Sequence, residues 1–204
     1  AIDYAGIGLS ELGKSEGYVR RQVEGWTKRY RKAQTDEHAT IDRLAAWLDA
    51  EQPAESGVAL IHNDYKYDNV VLDPDDPTSI IGVLDWEMCT LGDPLMDLGT
   101  TLGYWVQADD DPRAQFLAFG PTHLPGSLTR QQLVDRYQEQ TGHEVKRPLF
   151  YCAFGLFKIA VIIQQIYARY KAGLTKDPRF APLGHMVGLL GELACAQIDA
   201  DRLG

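Results

Sequence analysis

The chain has 204 residues, of which 45% are hydrophobic and 24% are charged. These proportions are typical of a globular protein with room for one full-sized domain and its hydrophobic core, and they exclude a chain that is disordered throughout. The formal net charge is −9. We therefore expect neither nucleic acid nor an anionic membrane as the main partner, because both are bound through an excess of Lys and Arg.

Cysteine usage and the N-terminus predict the compartment. Cys89, Cys152 and Cys195 are odd in number and far apart, which fits neither a disulfide framework nor a zinc knuckle. The first residues have neither the basic region nor the apolar core of a signal peptide. The most apolar stretch, 149–166, is interrupted by Lys158, and a bilayer span needs roughly 20 mostly apolar residues. We expect a cytoplasmic protein with reduced cysteines, in which this stretch is a buried helix.

Residues 1–57 are predicted to be a mainly helical lead-in. Apolar residues recur at helical spacing over 18–32, which predicts a first helix with one buried face. The Thr-Asp-Glu sequence at 35–37 is typical of a helix start, and the apolar spacing after it predicts a second helix that runs to about Ala50.

Two apolar runs enclose a polar loop in the middle of the chain. The run 58–61 leads into the loop 62–69, and the run 70–72 leads out of it. This pattern predicts a strand, a loop and a strand, with the chemistry concentrated on the loop. Asn63 and Asn69, the only two asparagines of the chain, both lie there.

A second pair of elements follows the loop. An acidic, Pro-flanked turn at 73–77 predicts a tight connection to an apolar strand at 79–84, which ends beside Asp85. Beyond it, the chain is predicted to be helical. Helices are expected to begin near Pro94 and to span 130–141, 148–171 and 183–200, with a Pro- and Gly-punctuated loop at 115–126.

Three side chains in this region have the chemistry that phosphoryl transfer needs. The Asn69 amide and the Asp85 carboxylate, brought together by adjacent strands, are hard oxygen donors of the kind that Mg²⁺ prefers. Asp64 lies five residues before Asn69, would be free of the metal, and is suited to accept a proton from an attacking hydroxyl. A base, an amide and a carboxylate are the protein groups that such a transfer requires.

The loop and the strand after it resemble a known family. The spacing of His62, Asp64 and Asn69 matches the catalytic loop H-x-D-x-x-x-x-N of the kinase fold, and residues 81–87 match its metal-binding strand end. With the later Gly-Asp-Pro and Asp-Leu sequences at 92–98, the chain is similar to the aminoglycoside phosphotransferase and choline kinase group of small-molecule kinases. It looks closest to the phosphotransferase domains found alone in bacteria or fused to acyl-CoA dehydrogenases.

The resemblance implies an α+β, mainly helical fold: a protein-kinase-like C-terminal lobe in which short β-hairpins carry the catalytic loop. It implies one domain, 1–204, made of the helical lead-in 1–57, the catalytic loop and metal-binding hairpins at 58–90, and a helical subdomain at 91–204. The N-terminal lobe of the family, which grips ATP, has no counterpart in the sequence. We therefore expect a fragment with an exposed apolar surface, weak nucleotide binding and a homodimer formed through that surface.

The resemblance also implies roles for six residues, with Mg²⁺ and ATP as cofactors. The implied roles are Asp64 as catalytic base, Lys66 as a contact to the transferred phosphate, Asn69 and Asp85 as ligands of Mg²⁺ and thereby of ATP, and His62 and Asp97 as structural residues that orient the loop.

The function implied is ATP- and Mg²⁺-dependent phosphorylation of a hydroxyl on a small molecule, with this fragment inactive alone. The acceptor is expected to be an amino sugar, a choline-like alcohol or a hydroxy acid. Two alternatives stay open: a catalytically silent, pseudokinase-like binding or dimerisation module, and a metal-dependent hydrolase, which typically needs more carboxylate or His ligands than the loop offers.

Overall fold

The computed structural model describes residues 2–118 and 120–204, except for the side chains of Phe116 and Leu117. Within these residues the helices are α1 Tyr18–Ala33, α2 Ala39–Ala50, α3 Pro94–Tyr104, α4 Arg130–Thr141, α5 Pro148–Lys171 and α6 Leu183–Ala200. The strands are β1 Ala59–Ile61, β2 Val70–Leu72, β3 Ile80–Val83 and β4 Thr90–Gly92. The predicted α+β, mainly helical fold class is confirmed.

Helix α5 forms the centre of the core. It is apolar on all sides, and every residue from Phe150 to Val161 is buried, because α1, α2, α3 and α6 pack around it. By length and composition it is the one described helix that is able to cross a membrane, but 78% of its most apolar window is buried inside the protein. The prediction of a buried helix at this place is confirmed.

Helices α3 and α5 cross with their backbones in direct contact. A Cβ atom added to Gly155 would lie 2.1 Å from the Gly99 carbonyl oxygen, and one added to Gly103 would lie 2.7 Å from the Gly155 carbonyl carbon. Only glycine permits this approach. The contact fixes α3, which carries Asp97, relative to the core.

The four strands form two small antiparallel sheets. Strand β1 pairs with β4, with Ala59 opposite Gly92, and β2 pairs with β3, with Val70 opposite Val83. The polar loop 62–69 therefore runs from one sheet to the other. The sequence did not predict β4, but the adjacency of β2 and β3 is confirmed.

The predicted start of the second helix at 35–37 is wrong, because α2 begins at Ala39. Tertiary contacts hold the preceding segment out of the helix. The Thr35 hydroxyl accepts a hydrogen bond from Gln164 Nε2 at 3.0 Å, and the Asp36 carboxylate pairs with Lys171 at 2.7 Å. These side chains bind α5 instead of capping α2.

The later helices begin and end close to the predicted positions. Asp93 caps α3 by accepting the Leu95 N–H at 2.8 Å, and Thr129 forms a reciprocal capping box with Gln132 at the start of α4. The predicted loop at 115–126 contains two short 3₁₀ helices, Pro112–Leu117 and Pro121–His123. Its Phe119 lies outside the described residues.

A group of exposed apolar side chains surrounds the β2–β3 hairpin and the turn that follows it. We call it the apolar hairpin surface, and it consists of Val71, Leu72, Ile80, Ile81, Leu84, Trp86 and Met88. Each of these side chains is at least 38% exposed. An exposed apolar surface beside the catalytic loop agrees with the prediction from the sequence.

Candidate active site

The polar loop is fixed at its entry by the half-buried carboxylate of Asp97. Strand β1 ends at Ile61, and the next two N–H groups both donate to Asp97: His62 N to Oδ2 at 2.8 Å and Asn63 N to Oδ1 at 2.7 Å. Burial raises the pKa of Asp97, and the two N–H donors and the nearby Lys158 oppose this rise. Asp97 thus anchors the loop to α3, the position expected of a residue that orients it.

His62 ties the loop to the end of the neighbouring hairpin. Its Nε2 lies 2.7 Å from the Leu84 carbonyl oxygen, and its Nδ1 lies 3.2 Å from the Asp64 backbone nitrogen. Because a carbonyl accepts and a backbone N–H donates, the ring is the neutral form with the proton on Nε2. Trp86 packs edge-on against the ring at 4.8 Å.

Asn63 has a left-handed backbone conformation, with φ of 67°. Asparagine is among the few residues with a side chain that adopt it readily. Its side chain is held from two sides, because Oδ1 accepts from the Tyr18 hydroxyl at 3.2 Å and Nδ2 donates to the Met88 carbonyl at 3.0 Å. These two contacts hold the Asn63 side chain in place.

Asp64, Lys66 and Asn69 are brought together at the centre of the loop. Asn69 Nδ2 donates to Asp64 Oδ2 at 2.9 Å and to the Asp64 carbonyl at 2.8 Å. Lys66 forms an ion pair with the same Asp64 oxygen. The Asp64 and Lys66 side chains are 19% and 17% exposed. The carboxylate therefore has a fixed orientation and stays accessible.

Tyr104 also faces the Asp64 carboxylate. Burial raises the pKa of its hydroxyl, and the hydrogen-bonded Asp64 raises it further. The Lys66 amine lies 5.0 Å from the centre of the Tyr104 ring, a distance that allows a cation–π contact. Tyr104 is a site residue that the motif did not identify, because it lies on α3, far along the chain.

Asp85 directly follows Leu84, whose backbone hydrogen bond extends the pairing of β2 with β3. The Leu84 N–H donates to the Asn69 carbonyl at 2.8 Å, which continues the β2–β3 ladder. The Asp85 side chain is exposed and, among the described residues, it forms no hydrogen bond or ion pair. Asn69 uses its Nδ2 on Asp64, and among the described residues neither its Oδ1 nor the Asp85 carboxylate has a partner, so both are available as hard oxygen donors.

This donor set fits Mg²⁺, which binds proteins through one or two carboxylates and completes its coordination with phosphates and water. The part of the chain that the structure describes contains no group of three or more His, Cys, Asp or Glu that could hold a metal.

A groove of about 1000 Å³ opens beside the loop, between the hairpin, β1, α3 and α4. Tyr65, Lys66 and Tyr104 line the end near Asp64, and α4 forms the opposite wall. Among its described lining residues Asp97 is the one carboxylate, and both of its oxygens accept backbone N–H bonds. The α4 wall consists of Leu133, Arg136, Tyr137, Gln140 and Thr141.

The structure adds Lys158 of α5 to the site, a residue that the sequence showed as a mere interruption of an apolar run. Its amine donates to the Asn63 carbonyl at 2.5 Å. Its side chain is buried, and burial lowers its pKa to about 8. One signal was available: a lysine inside a fully apolar helix needs a buried partner.

Comparison with known proteins supports the family resemblance that the loop 62–69 indicated. Residues 1–127 match the model of the family described as the phosphotransferase enzyme family, APH. A crystal structure of a proposed aminoglycoside phosphotransferase from Ralstonia eutropha superimposes with a TM-score of 0.78 and 29% identity. That match covers 95% of this chain and 59% of the other.

Two mouse proteins are also similar. Acyl-CoA dehydrogenase family member 10 is 31% identical over 196 residues, which cover 95% of this chain and 18% of the mouse protein. Acyl-CoA dehydrogenase family member 11 is 33% identical over 181 residues, covering 85% and 22%. The chain thus spans about a fifth of the length of these curated relatives, and the resemblance seen in the sequence is confirmed.

Proposed function

The chain belongs to the phosphotransferase enzyme family, and we propose that it is the catalytic part of an ATP- and Mg²⁺-dependent kinase for a hydroxyl group of a small molecule. One observation carries the proposal. The Asp64 carboxylate is held by the Asn69 amide at 2.9 Å, and the carboxylate of Asp85, without a partner among the described residues, follows on the adjacent strand. A base and a metal-binding pair are thereby built into one unit.

The residues of the chain divide the work of the transfer. Asp64 orients the acceptor hydroxyl and takes its proton as the new O–P bond forms and the bond to the leaving ADP breaks. Asn69 Oδ1 and Asp85 would hold Mg²⁺, which, when bound with ATP, would neutralise the negative charge on the phosphates. His62 and Asp97 keep the loop in place and contact no reacting atom.

In the proposed reaction, Lys66 changes its partner from Asp64 to the transferred phosphoryl group. In the structure it is paired with Asp64, on the side that faces the groove. A transferred phosphoryl group would offer its amine a stronger anionic partner. We propose that Lys66 leaves Asp64 when the phosphate is bound, so that the base becomes free for the acceptor hydroxyl.

The residues that line the groove affect which acceptor molecules it can bind. An amino sugar carries several positive charges, and the one described carboxylate of the groove, Asp97, is occupied by backbone N–H groups. Arg136 contributes a cation that forms no ion pair among the described residues. Of the three expected acceptor classes, the charge of the groove therefore favours a hydroxy acid over the two cationic classes, an amino sugar and a choline-like alcohol.

The apolar hairpin surface is a candidate contact site for another part of the enzyme. Large apolar patches beside a site usually mark a contact with another part of a protein. The similar Ralstonia chain is longer, since the match covers 59% of it. We propose that a nucleotide-binding lobe rests on this surface in the complete enzyme, and that the 204 residues alone transfer no phosphate.

The test is a phosphate-transfer assay of the complete enzyme against hydroxy acids, simple alcohols and amino sugars. Asp64→Asn should lower kcat by about 10²–10⁴-fold, the usual contribution of a general base, while Mg·ATP binding by calorimetry stays unchanged. Asp68→Asn is the matched control, because Asp68 lies in the same loop, is exposed and forms no described hydrogen bond. Unchanged turnover in Asp64→Asn would remove the base assignment, and a wild-type enzyme inactive on all three classes would contradict the proposal.

A further inference from the structure

We propose that Lys158 is a positioning residue of the catalytic loop: its ammonium group holds the Asn63 carbonyl and thereby fixes the direction in which Asp64 points. The kinetic consequence rests on the proposed function, but the structural consequence does not. Lys158 lies in the middle of α5, far along the chain from the loop, and it contacts no reacting atom.

The contacts of the Lys158 amine are few and directional. It lies 2.5 Å from the Asn63 carbonyl oxygen and 3.4 Å from Thr100 Oγ1. The Thr100 hydroxyl donates to the Met96 carbonyl at 3.2 Å, so it accepts from the lysine. The Trp26 ring centre lies 5.7 Å from the amine, and the whole residue is only 4% exposed.

These contacts fix one peptide plane completely. The Asn63 carbonyl and the Asp64 N–H belong to the same planar peptide group. Lys158 holds its oxygen, and His62 Nδ1 accepts its N–H at 3.2 Å. The preceding peptide is fixed by Asp97 through the Asn63 N–H. The peptide that follows Asp64 is held by Asn69, whose Nδ2 donates to the Asp64 carbonyl at 2.8 Å. The peptides on both sides of the Asp64 Cα are therefore held, and its Cα–Cβ bond has little freedom left.

Asn63 has a positive φ of 67°. Asparagine adopts this left-handed conformation more readily than other residues with a side chain, and contacts from the surroundings help to keep it there. Burying an ammonium group is costly, and an apolar residue such as Met would usually stabilise a helix core at least as well. The lysine is therefore better explained by the loop than by the stability of the core.

The charged groups around the amine come from three elements. Asp97 of α3 and Asp64 of the loop favour its charged form, whereas Lys66 and Arg29 of α1 oppose it. Burial is the largest influence and lowers the pKa of Lys158 from 10.5 to about 8. Below pH 8 the amine is charged and holds the Asn63 carbonyl strongly, and above pH 8 it becomes a weaker, neutral donor.

The contribution of Lys158 to activity and its contribution to stability therefore depend on pH in opposite directions. Between pH 8 and 10.5 the unfolded chain binds the Lys158 proton and the folded chain does not, so this group makes folding more favourable as the pH rises. In the same window the loop loses its charged anchor, so kcat should fall. A lysine that only supported the fold would not separate these two trends.

The structural test measures amide hydrogen exchange in the complete enzyme. Lys158→Met should speed exchange of the Asn63 and Asp64 amides about tenfold or more, with the amides of α6 unchanged. Lys171→Met is the matched control, because Lys171 lies on the same helix but is exposed and pairs with Asp36. Unchanged exchange at Asn63 and Asp64 in Lys158→Met would overturn the proposal.

The kinetic test uses the same variants and adds Lys158→Arg, which keeps the charge and serves if the Met variant does not fold. Lys158→Met should lower kcat about 10–100-fold, the usual cost of a slightly misplaced group, with KM within about twofold. Lys158→Arg should retain more activity and lose the decline above pH 8. Faster loop exchange in an enzyme with no turnover would refute the proposed function alone, whereas turnover unaffected by Lys158→Met would refute the role of Lys158 alone.

Discussion

The polar loop 62–69 and the end of the β2–β3 hairpin carry the two halves of the candidate site, and they are built in opposite ways. The loop is held by groups of two core helices, the half-buried Asp97 of α3 and the buried Lys158 of α5. Asp85, at the hairpin end, is exposed and has no hydrogen-bond partner among the described residues. The protein therefore holds the Asp64 carboxylate of the loop in place, whereas no described residue holds the Asp85 carboxylate.

The comparison separates a carboxylate that the protein holds in place in advance from one whose oxygens stay available to a ligand. The Asp64 carboxylate is positioned by the chain itself, so its geometry exists before any ligand is bound. Asp85 presents its carboxylate from a left-handed backbone conformation, with φ of 64°, and no described residue holds its oxygens. Changes to the loop supports should therefore affect folding and activity together, and changes at Asp85 should affect ligand binding alone.

The largest effect on stability is expected from Asp97→Ala. It leaves the His62 and Asn63 amides without acceptors, and each buried amide left unsatisfied costs about 1–3 kcal/mol. The free energy of unfolding in urea should fall on the order of 3 kcal/mol, with loss of turnover. Asp75→Ala, at an exposed turn, is the control and should cost less than about 0.5 kcal/mol. Equal stabilities of the two variants would show that the loop is not anchored by α3.

An intermediate effect is expected from Gly155→Ala, which separates α3 from α5. The new Cβ would overlap the Gly99 carbonyl at 2.1 Å, and overpacking costs typically 1–3 kcal/mol. The same substitution at Gly25 of α1 meets nothing closer than 3.6 Å, at the Arg29 side chain. Gly25→Ala should therefore stabilise the helix by about 0.5–1 kcal/mol. Urea unfolding measures both, and effects of the same sign would contradict the close helix crossing.

The smallest effect on stability is expected from Asp85→Asn, within about 0.5 kcal/mol, because no described partner is lost. Binding of Mg·ATP to the complete enzyme should nevertheless weaken at least about tenfold, since even residues behind a metal ligand commonly contribute 10–100-fold. Calorimetric titration measures the affinity, with Asp75→Asn on the same hairpin as control. Unchanged affinity would refute the ligand role, and a loss of stability would refute the contrast with the loop.

Much of the fold could be predicted because the strongest patterns are local. Helical spacing of apolar residues identified α1, α5 and α6, and Asp93 with Pro94 marked the start of α3. The patterns failed where tertiary contacts decide. Strand β4 has three residues with a single large apolar side chain, Leu91, and it exists because β1 pairs with it.

The candidate site was predictable where its residues follow one another along the chain. The spacing of Asp64 and Asn69 predicted that they act together, and the structure places their side chains 2.9 Å apart; their catalytic roles stay predictions. Lys158 and Tyr104 were missed because they reach the loop from helices α5 and α3. No local pattern reports such contacts, and only the burial cost of a charged lysine gave a hint.

The position of α4 has a consequence for how the specificity of the enzyme can change. This helix supplies one wall of the groove, yet none of its described residues hydrogen-bonds to the loop 62–69. Arg136 and Gln140 are exposed on that wall, so replacing them changes the lining of the groove and leaves the contacts around Asp64 in place. Under the proposed function, single substitutions on α4 should therefore change the acceptor preference and leave the proposed chemistry intact, which makes this helix a suitable target for laboratory evolution of new substrates.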